Sequence, residues 1–278
     1  MWRRVKPIPI EDAVMRSLIR RGAMAIAAPF AAIALGAAAP TLIADVDLAK
    51  PFDTVSPWRL TVAQGPGVAA ADTASGGAEP GEIRLCLRKT GAAPCDSQLR
   101  TALRAGATDD YFTTPHYLDP VKIVRGATGR PLLLVRTSSV HAGDGGQLVL
   151  TQALAYRRRA DAFVRVYEHA TGTNNNEAVR FIETGPLKGD LISVEPTETA
   201  PFGYWVTISN AAPADAYRQV LRYRSATRYG DGNRLSVIDS EMANIQRRLG
   251  LWRPGEPLPL PAGRCATPHL IRMELWCE

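Results

Sequence analysis

The stretch from Val121 to Tyr223 constrains this 278-residue chain more than any other part of it. Short apolar runs recur there, separated by turn-forming pieces such as AGDGG, ATGTNNN, TGPLKG and NAAPAD. Phe163-Val164-Arg165-Val166-Tyr167 alternates apolar and polar residues, the two-residue period of a half-buried strand. Segments 121–125, 131–138, 147–157, 162–169, 178–183, 190–195, 204–209 and 217–223 all fit that reading. Turns this close leave no room for the dozen-residue crossovers that parallel strands need. The expected fold is therefore mostly β, an antiparallel β-sandwich or open barrel. Ala160-Asp161-Ala162-Phe163 is echoed by Ala214-Asp215-Ala216-Tyr217, but two copies fall short of a propeller.

Both flanks add elements. Residues 51–63 contain a strand with Trp58, Leu60 and Val62 on one face, and Ile83, Leu85 and Leu87 alternate in another. Between them, 64–81 is Gly-, Ala- and Pro-rich without apolar period, a flexible loop. Residues 98–105 read as a short helix. After the strands, Met242, Ile245 and Leu249 are spaced for one C-terminal helix over 240–249. Asp239 or Ser240 can cap it and Gly250 can end it. Pro254, Pro257, Pro259 and Pro261 then force an extended tail, and the strand 269–277 pairs back onto the body.

The first 39 residues have a different character. Arg20-Arg21 precedes a charge-free run from Gly22 to Ala39 that closes in small residues, the three parts of an export signal. Cleavage is expected near 38/39, leaving about 239 residues as a single β-rich domain over 40–278, long enough for a sizeable core. The run is Ala- and Gly-rich, a poor permanent anchor, so membrane contact is expected only through an uncleaved leader. Six of the 33 Lys and Arg and two of the 27 Asp and Glu lie in the leader. The rest carries a net charge of only +2, so the sequence pI near 9.3 is no argument for nucleic-acid binding. The excess of Arg over Lys, 28 to 5, fits a GC-rich bacterial genome.

All four cysteines, Cys86, Cys95, Cys265 and Cys277, follow the leader. An even number in an exported chain favours disulfides. Three pairings are possible. The local one, Cys86–Cys95 with Cys265–Cys277, closes two loops of about ten residues, each contributing about 2–3 kcal/mol. No Cys-x-x-Cys occurs, which argues against zinc. No metal or other cofactor is expected.

The segment from Tyr223 to Asn233 mixes aromatic, cationic, carboxylate and amide groups with two glycines. Arg224, Arg228, Tyr229, Asp231 and Asn233 are the candidate ligand-binding residues, the arginines to pair anionic groups and the others to fix geometry. The Asp-Gly and Gly-Asn steps are equally what a well-built turn needs. His141 beside Asp144, and His116 near Asp109 and Asp110, are loop histidines. Glu168 and His169 are adjacent on a strand, face opposite ways and do not easily share one site. Tyr156-Arg157-Arg158-Arg159 reads as a hairpin turn. The chain lacks Gly-x-Ser-x-Gly, His-Glu-x-x-His, a phosphate loop and Gly-x-Gly-x-x-Gly. The resulting expectation is an exported envelope protein, periplasmic or secreted, that binds an envelope ligand or partner without catalysing a reaction. The alternative is a glycosidase-like envelope hydrolase using Asp231 with Glu241 or Asp239.

Overall fold

The structure is a computed structural model that describes residues 39–69, 78–92, 94–96, 98–103, 113–119, 121–141, 146–173, 178–200, 202–212, 216–225, 227–228, 230–260 and 265–278. Residues 1–38 of the expected leader, all of 104–112 and Tyr229 lie outside them.

In chain order the elements are β1 (Thr41–Asp47), α1 (Ala49–Phe52), β2 (Trp58–Gln64), a short ribbon of β3 (Val68–Ala69) and β4 (Ala78–Glu79), and β5 (Ile83–Lys89). Next come β6 (Tyr117–Leu118), β7 (Lys122–Arg125), β8 (Pro131–Ser138), β9 (Gln147–Arg157) and β10 (Ala162–Thr173). Then follow β11 (Val179–Phe181), β12 (Leu191–Pro196), β13 (Tyr204–Ala211) and β14 (Tyr217–Arg224). The C-terminal part holds α2 (Val237–Ser240), α3 (Met242–Arg248), β15 (Pro268–Ile271) and β16 (Glu274–Cys277). Every named strand pair is antiparallel.

Three sheets stack as layers. The first, in the order β1-β2-β5, turns Leu60, Val62, Ile83, Leu85 and Leu87 inward. They meet Leu133, Val135, Leu154 and Phe163 on one face of the second sheet, β10-β9-β8 with β6 and β7 along its edge. Phe163 is fully buried, with Phe52 and Trp58 edge-on at 5.0 and 5.3 Å between ring centres. The second sheet's other face, Val124, Leu132, Ala153, Ala155 and Val166, meets Phe181 and Tyr217 of the third sheet, β11-β12-β13-β14. Ile192, Val194, Val206 and Ile208, on the third sheet's far side, take Ile238, Met242, Ile245 and Leu275. This is a layered, sandwich-like β architecture, as the strand pattern predicts.

The hairpin between β9 and β10 is fastened to the first sheet by Asp161. Its carboxylate accepts hydrogen bonds from Trp58 Nε1 at 3.1 Å, Tyr156 Oη at 2.7 Å and Ser56 Oγ at 2.5 Å, with Lys89 Nζ at 2.8 Å. Lys89 and the hydroxyl donors hold this acid well below the usual carboxylate range. The arginine run before it is the expected turn, with Arg158 bonded to Asp53.

Several expectations change. Residues 98–103 form turns and bends rather than a helix. Backbone contacts instead tie them to the second sheet, Arg100 N–H donating to Gln152 Oε1 at 2.9 Å. The single helix is two, α2 and α3, meeting at Glu241; Ser236, not Asp239 or Ser240, caps the first. The strand at 269–277 is a hairpin, turned at Arg272 and Met273, both with positive φ. It pairs with itself and docks through Leu275. Within 64–81, Gln64 completes β2, and β3 pairs with β4. Both disulfides have the local pairing, Cys86–Cys95 and Cys265–Cys277.

Candidate functional site

The segment from Tyr223 to Asn233 is built into the scaffold. Arg224 donates to the Thr199 carbonyl at 2.7 Å. Asn233 Nδ2 donates to the Leu275 carbonyl at 2.8 Å and to Ser240 Oγ at 3.1 Å, tying the C-terminal hairpin to α2. Asp231 accepts the Asn233 N–H at 2.9 Å, an ordinary Asx turn. Arg228 is exposed, and Tyr229 lies outside the described residues.

Behind this segment Glu241 is fully buried. It accepts from Tyr223 Oη at 2.7 Å, Thr227 Oγ1 at 2.6 Å and Asn244 Nδ2 at 3.1 Å. Burial, then the Glu241 charge, pushes the Tyr223 phenol up. Burial, then Glu241 and Asp231, also raises Glu274 to about 7, against the pull of Arg272 and Arg228. His116 is likewise enclosed, its ring nitrogens within 2.7 Å of the Pro80 carbonyl and 3.1 Å of Thr114 Oγ1. His141 packs edge-on to Tyr117; Asp144, Asp109 and Asp110 lie outside the described residues.

The best-formed concavity lies elsewhere, where the second sheet, β11, the loop after it and α3 meet. It is a cleft of about 690 Å³, within the range of about 300–1,000 Å³ typical of small-molecule sites. One wall is apolar strand surface, Val124 and Leu134 facing Val179 and Phe181. The opposite wall is Leu187, Met242 and Leu260.

Strand chemistry explains these walls. Residues in β7 and β8 alternate faces, and Leu134 is cross-strand from Lys122. The loop over the cleft is closed by two backbone bonds, Ile182 N–H to the Asp190 carbonyl and Gly189 N–H to the Ile182 carbonyl. Gly189 has φ of +92°, and a Cβ there would sit 2.4 Å from the Ala127 amide nitrogen. Only glycine lets this loop lie against the β7–β8 turn.

Polar groups converge at the ends of the cleft. Arg180, from β11, makes a two-pronged bond to Asp239, at 2.6 and 3.2 Å, and reaches Ser236 Oγ at 3.0 Å. This holds α2 against the third sheet and fixes the polar floor. Arg136 pairs with Asp119 and reaches the Val179 carbonyl. Lys122 is exposed and has no ion-pair partner among the described residues. Thr151 lines the cleft with its buried hydroxyl unpartnered. Of the candidate ligand-binding and catalytic residues named from the sequence, Asp239 alone is among the described residues lining this cleft, as the partner of Arg180. Arg136 and Arg180 had one visible signal, a charge inside an otherwise apolar strand. Lys122 had none.

A second, more polar groove of about 520 Å³ lies between β10 and the strands β12 to β14. His169 stands there 3.3 Å from Glu195, while Glu168 pairs with Arg100 and Arg165. The two neighbours take different partners, as alternation requires. A bulge at Val166, where the β9–β10 register shifts, lets Arg165 and Glu168 meet.

Two disulfides are the chemistry of a non-reducing, extracellular-type environment. Among the described residues no helix is long and apolar enough to cross a membrane, and no group of three or more His, Cys, Asp or Glu is placed to hold a metal. Comparison with protein-family models, curated proteins and solved structures finds no match to this chain.

Proposed function

We propose that this is an exported envelope protein, periplasmic or secreted, whose cleft holds a small amphipathic molecule without transforming it. One observation carries the reading: a preformed cleft of about 690 Å³ with two apolar walls, whose polar ends hold Lys122, Arg136 and Arg180 together with Asp119, Glu183 and Asp239. The apolar walls supply binding free energy in proportion to the area they cover. Lys122, at the mouth, offers an unpaired charge to the ligand's polar end, with Arg136 beside it.

The signal-like composition of the first 39 residues and the two disulfides support the location. Binding is favoured over hydrolysis by the state of the carboxylates. Glu241 is sealed behind three donors, Asp239 is held by Arg180, and Asp231 closes a turn.

Laurate, an anionic amphiphile, is the probe. Calorimetric titration should give saturable binding at one site per chain. Leu134→Trp, which fills the cleft, should abolish it while thermal unfolding stays near wild type. Lys122→Ala should weaken it about two- to fivefold, the scale of one exposed ion pair. Octanoate should bind more weakly still, since each buried methylene contributes about 0.8 kcal/mol. Binding that ignores Leu134→Trp would place the ligand elsewhere.

A further inference from the structure

We infer that the polar groove between β10 and the third sheet is a second binding site, for a neutral sugar or polyol unit. This inference does not rest on the cleft reading, because none of the residues used below lines the cleft.

The groove is unusual for the space between two packed sheets. Its floor carries the hydroxyls of Ser193 and Thr207, beside the Tyr167 phenol, where a sandwich interior is ordinarily aliphatic. The register explains how they gather: Ser193 lies opposite Thr207, which lies opposite Arg222, so all three project from one face of the third sheet. On the facing strand the Val166 bulge brings Tyr167 and His169 onto the side that meets them. The two rings stack at 29°, their centres 6.4 Å apart.

Charge then selects the ligand class. Glu195 is shared between His169 Nε2 at 3.3 Å and Arg222 at 3.2 Å. Glu168, beside the groove, is likewise engaged, shared between Arg165 and Arg100. Burial lowers the affinity of His169 for a proton, with Arg222 acting in the same sense and Glu195 against it, so the imidazole is neutral at pH 7. An anion or a cation entering the groove would have to separate an ion pair. A neutral ligand rich in hydroxyls need not, because each hydroxyl both donates to a carboxylate and accepts from a guanidinium.

His169 Nε2 is buried and, despite its closeness to Glu195, makes no hydrogen bond. It is a polar atom with capacity to spare. At the lip, Trp205 lies cross-strand from Glu195, 36% exposed, with the Arg222 guanidinium 4.9 Å from its ring centre. A pyranose has this division: hydroxyls at its edge for Glu195 and Arg222, and a C–H face for an indole.

The test is an NMR titration that follows the His169 ring and Trp205 indole signals. Glucose, N-acetylglucosamine and myo-inositol are the probes, with acetate and tetramethylammonium as charged controls. At least one of the three neutral probes should give saturable shifts confined to these residues, at millimolar concentration. Glu195→Gln should weaken binding about tenfold, the cost of losing one charged hydrogen-bond partner. Trp205→Leu should weaken it too; the ring is exposed and belongs to none of the hydrophobic clusters, so this variant folds even where Glu195→Gln does not. No shifts with any neutral probe, or shifts with acetate alone, would overturn the inference.

Discussion

Glu274 and Asp161 are both acids in contact with several polar groups, yet their environments act in opposite directions. Asp161 is surrounded by donors and one ammonium, so its charged form is favoured. Glu274 lies beside Glu241 and Asp231, and burial raises it to about 7. The sign of the pH dependence follows. In the unfolded chain a glutamate titrates near 4.3. In the fold Glu274 keeps its proton up to about pH 7, so its contribution is present in acid and lost as pH rises through 7. Arg272 and Arg228 oppose that loss without cancelling it. Glu274→Gln should therefore flatten the profile. Thermal unfolding of the variant should match wild type at pH 4 and exceed it at pH 8; two parallel profiles would contradict the assignment.

At the scale of the element, the C-terminal hairpin shows what a short sequence can and cannot announce. Cys265 and Cys277 are legible as a pair because they flank one turn-rich segment in a chain whose first 39 residues read as an export signal. The hairpin's self-pairing was not legible, since its turn residues, Arg272 and Met273, are not turn formers; they take positive φ because the disulfide and Leu275 hold both ends. Replacing both cysteines by alanine should cost about 2–4 kcal/mol and remove hydrogen-exchange protection from 268–277 first. Unchanged protection would mean that Leu275 and the Asn233 contact suffice alone.

Elsewhere, β8 and β9 match the expected 131–138 and 147–157 because buried central strands carry an unbroken pattern. By contrast, β1 escaped notice. It is an edge strand with Leu42 and Ile43 exposed, so its alternation is confined to the four residues Ala44 to Asp47. The helix broke in two at Glu241, which the apolar period alone could not reveal. Its carboxylate is held by Tyr223 and Thr227 from outside the helix.

Among the described residues of the whole molecule, the cleft and the groove lie between the three sheets and a helical layer, one mainly apolar and one polar. Neither could be read from spacing, because each gathers residues from strands far apart in sequence: Lys122, Arg136 and Arg180 for the cleft, His169, Glu195 and Arg222 for the groove. The segment that looked richest in chemistry, 223–233, is the joint that fastens β14, α2 and the C-terminal hairpin together. Local mixtures of polar residues mark such joints as readily as they mark sites. The charged residues that line the openings stand out only once the apolar faces around them are known.

On the proposed function, the cleft carries a ligand in the protein's own compartment. The direct measurement is a native mass spectrum of the protein recovered from the envelope fraction of its own host, beside the Leu134→Trp variant. The expected result is a leader-shortened chain with two disulfides that carries a small bound mass, released by organic solvent and absent from the variant. A full-length chain with free thiols, or an equal bound mass on both proteins, would contradict it.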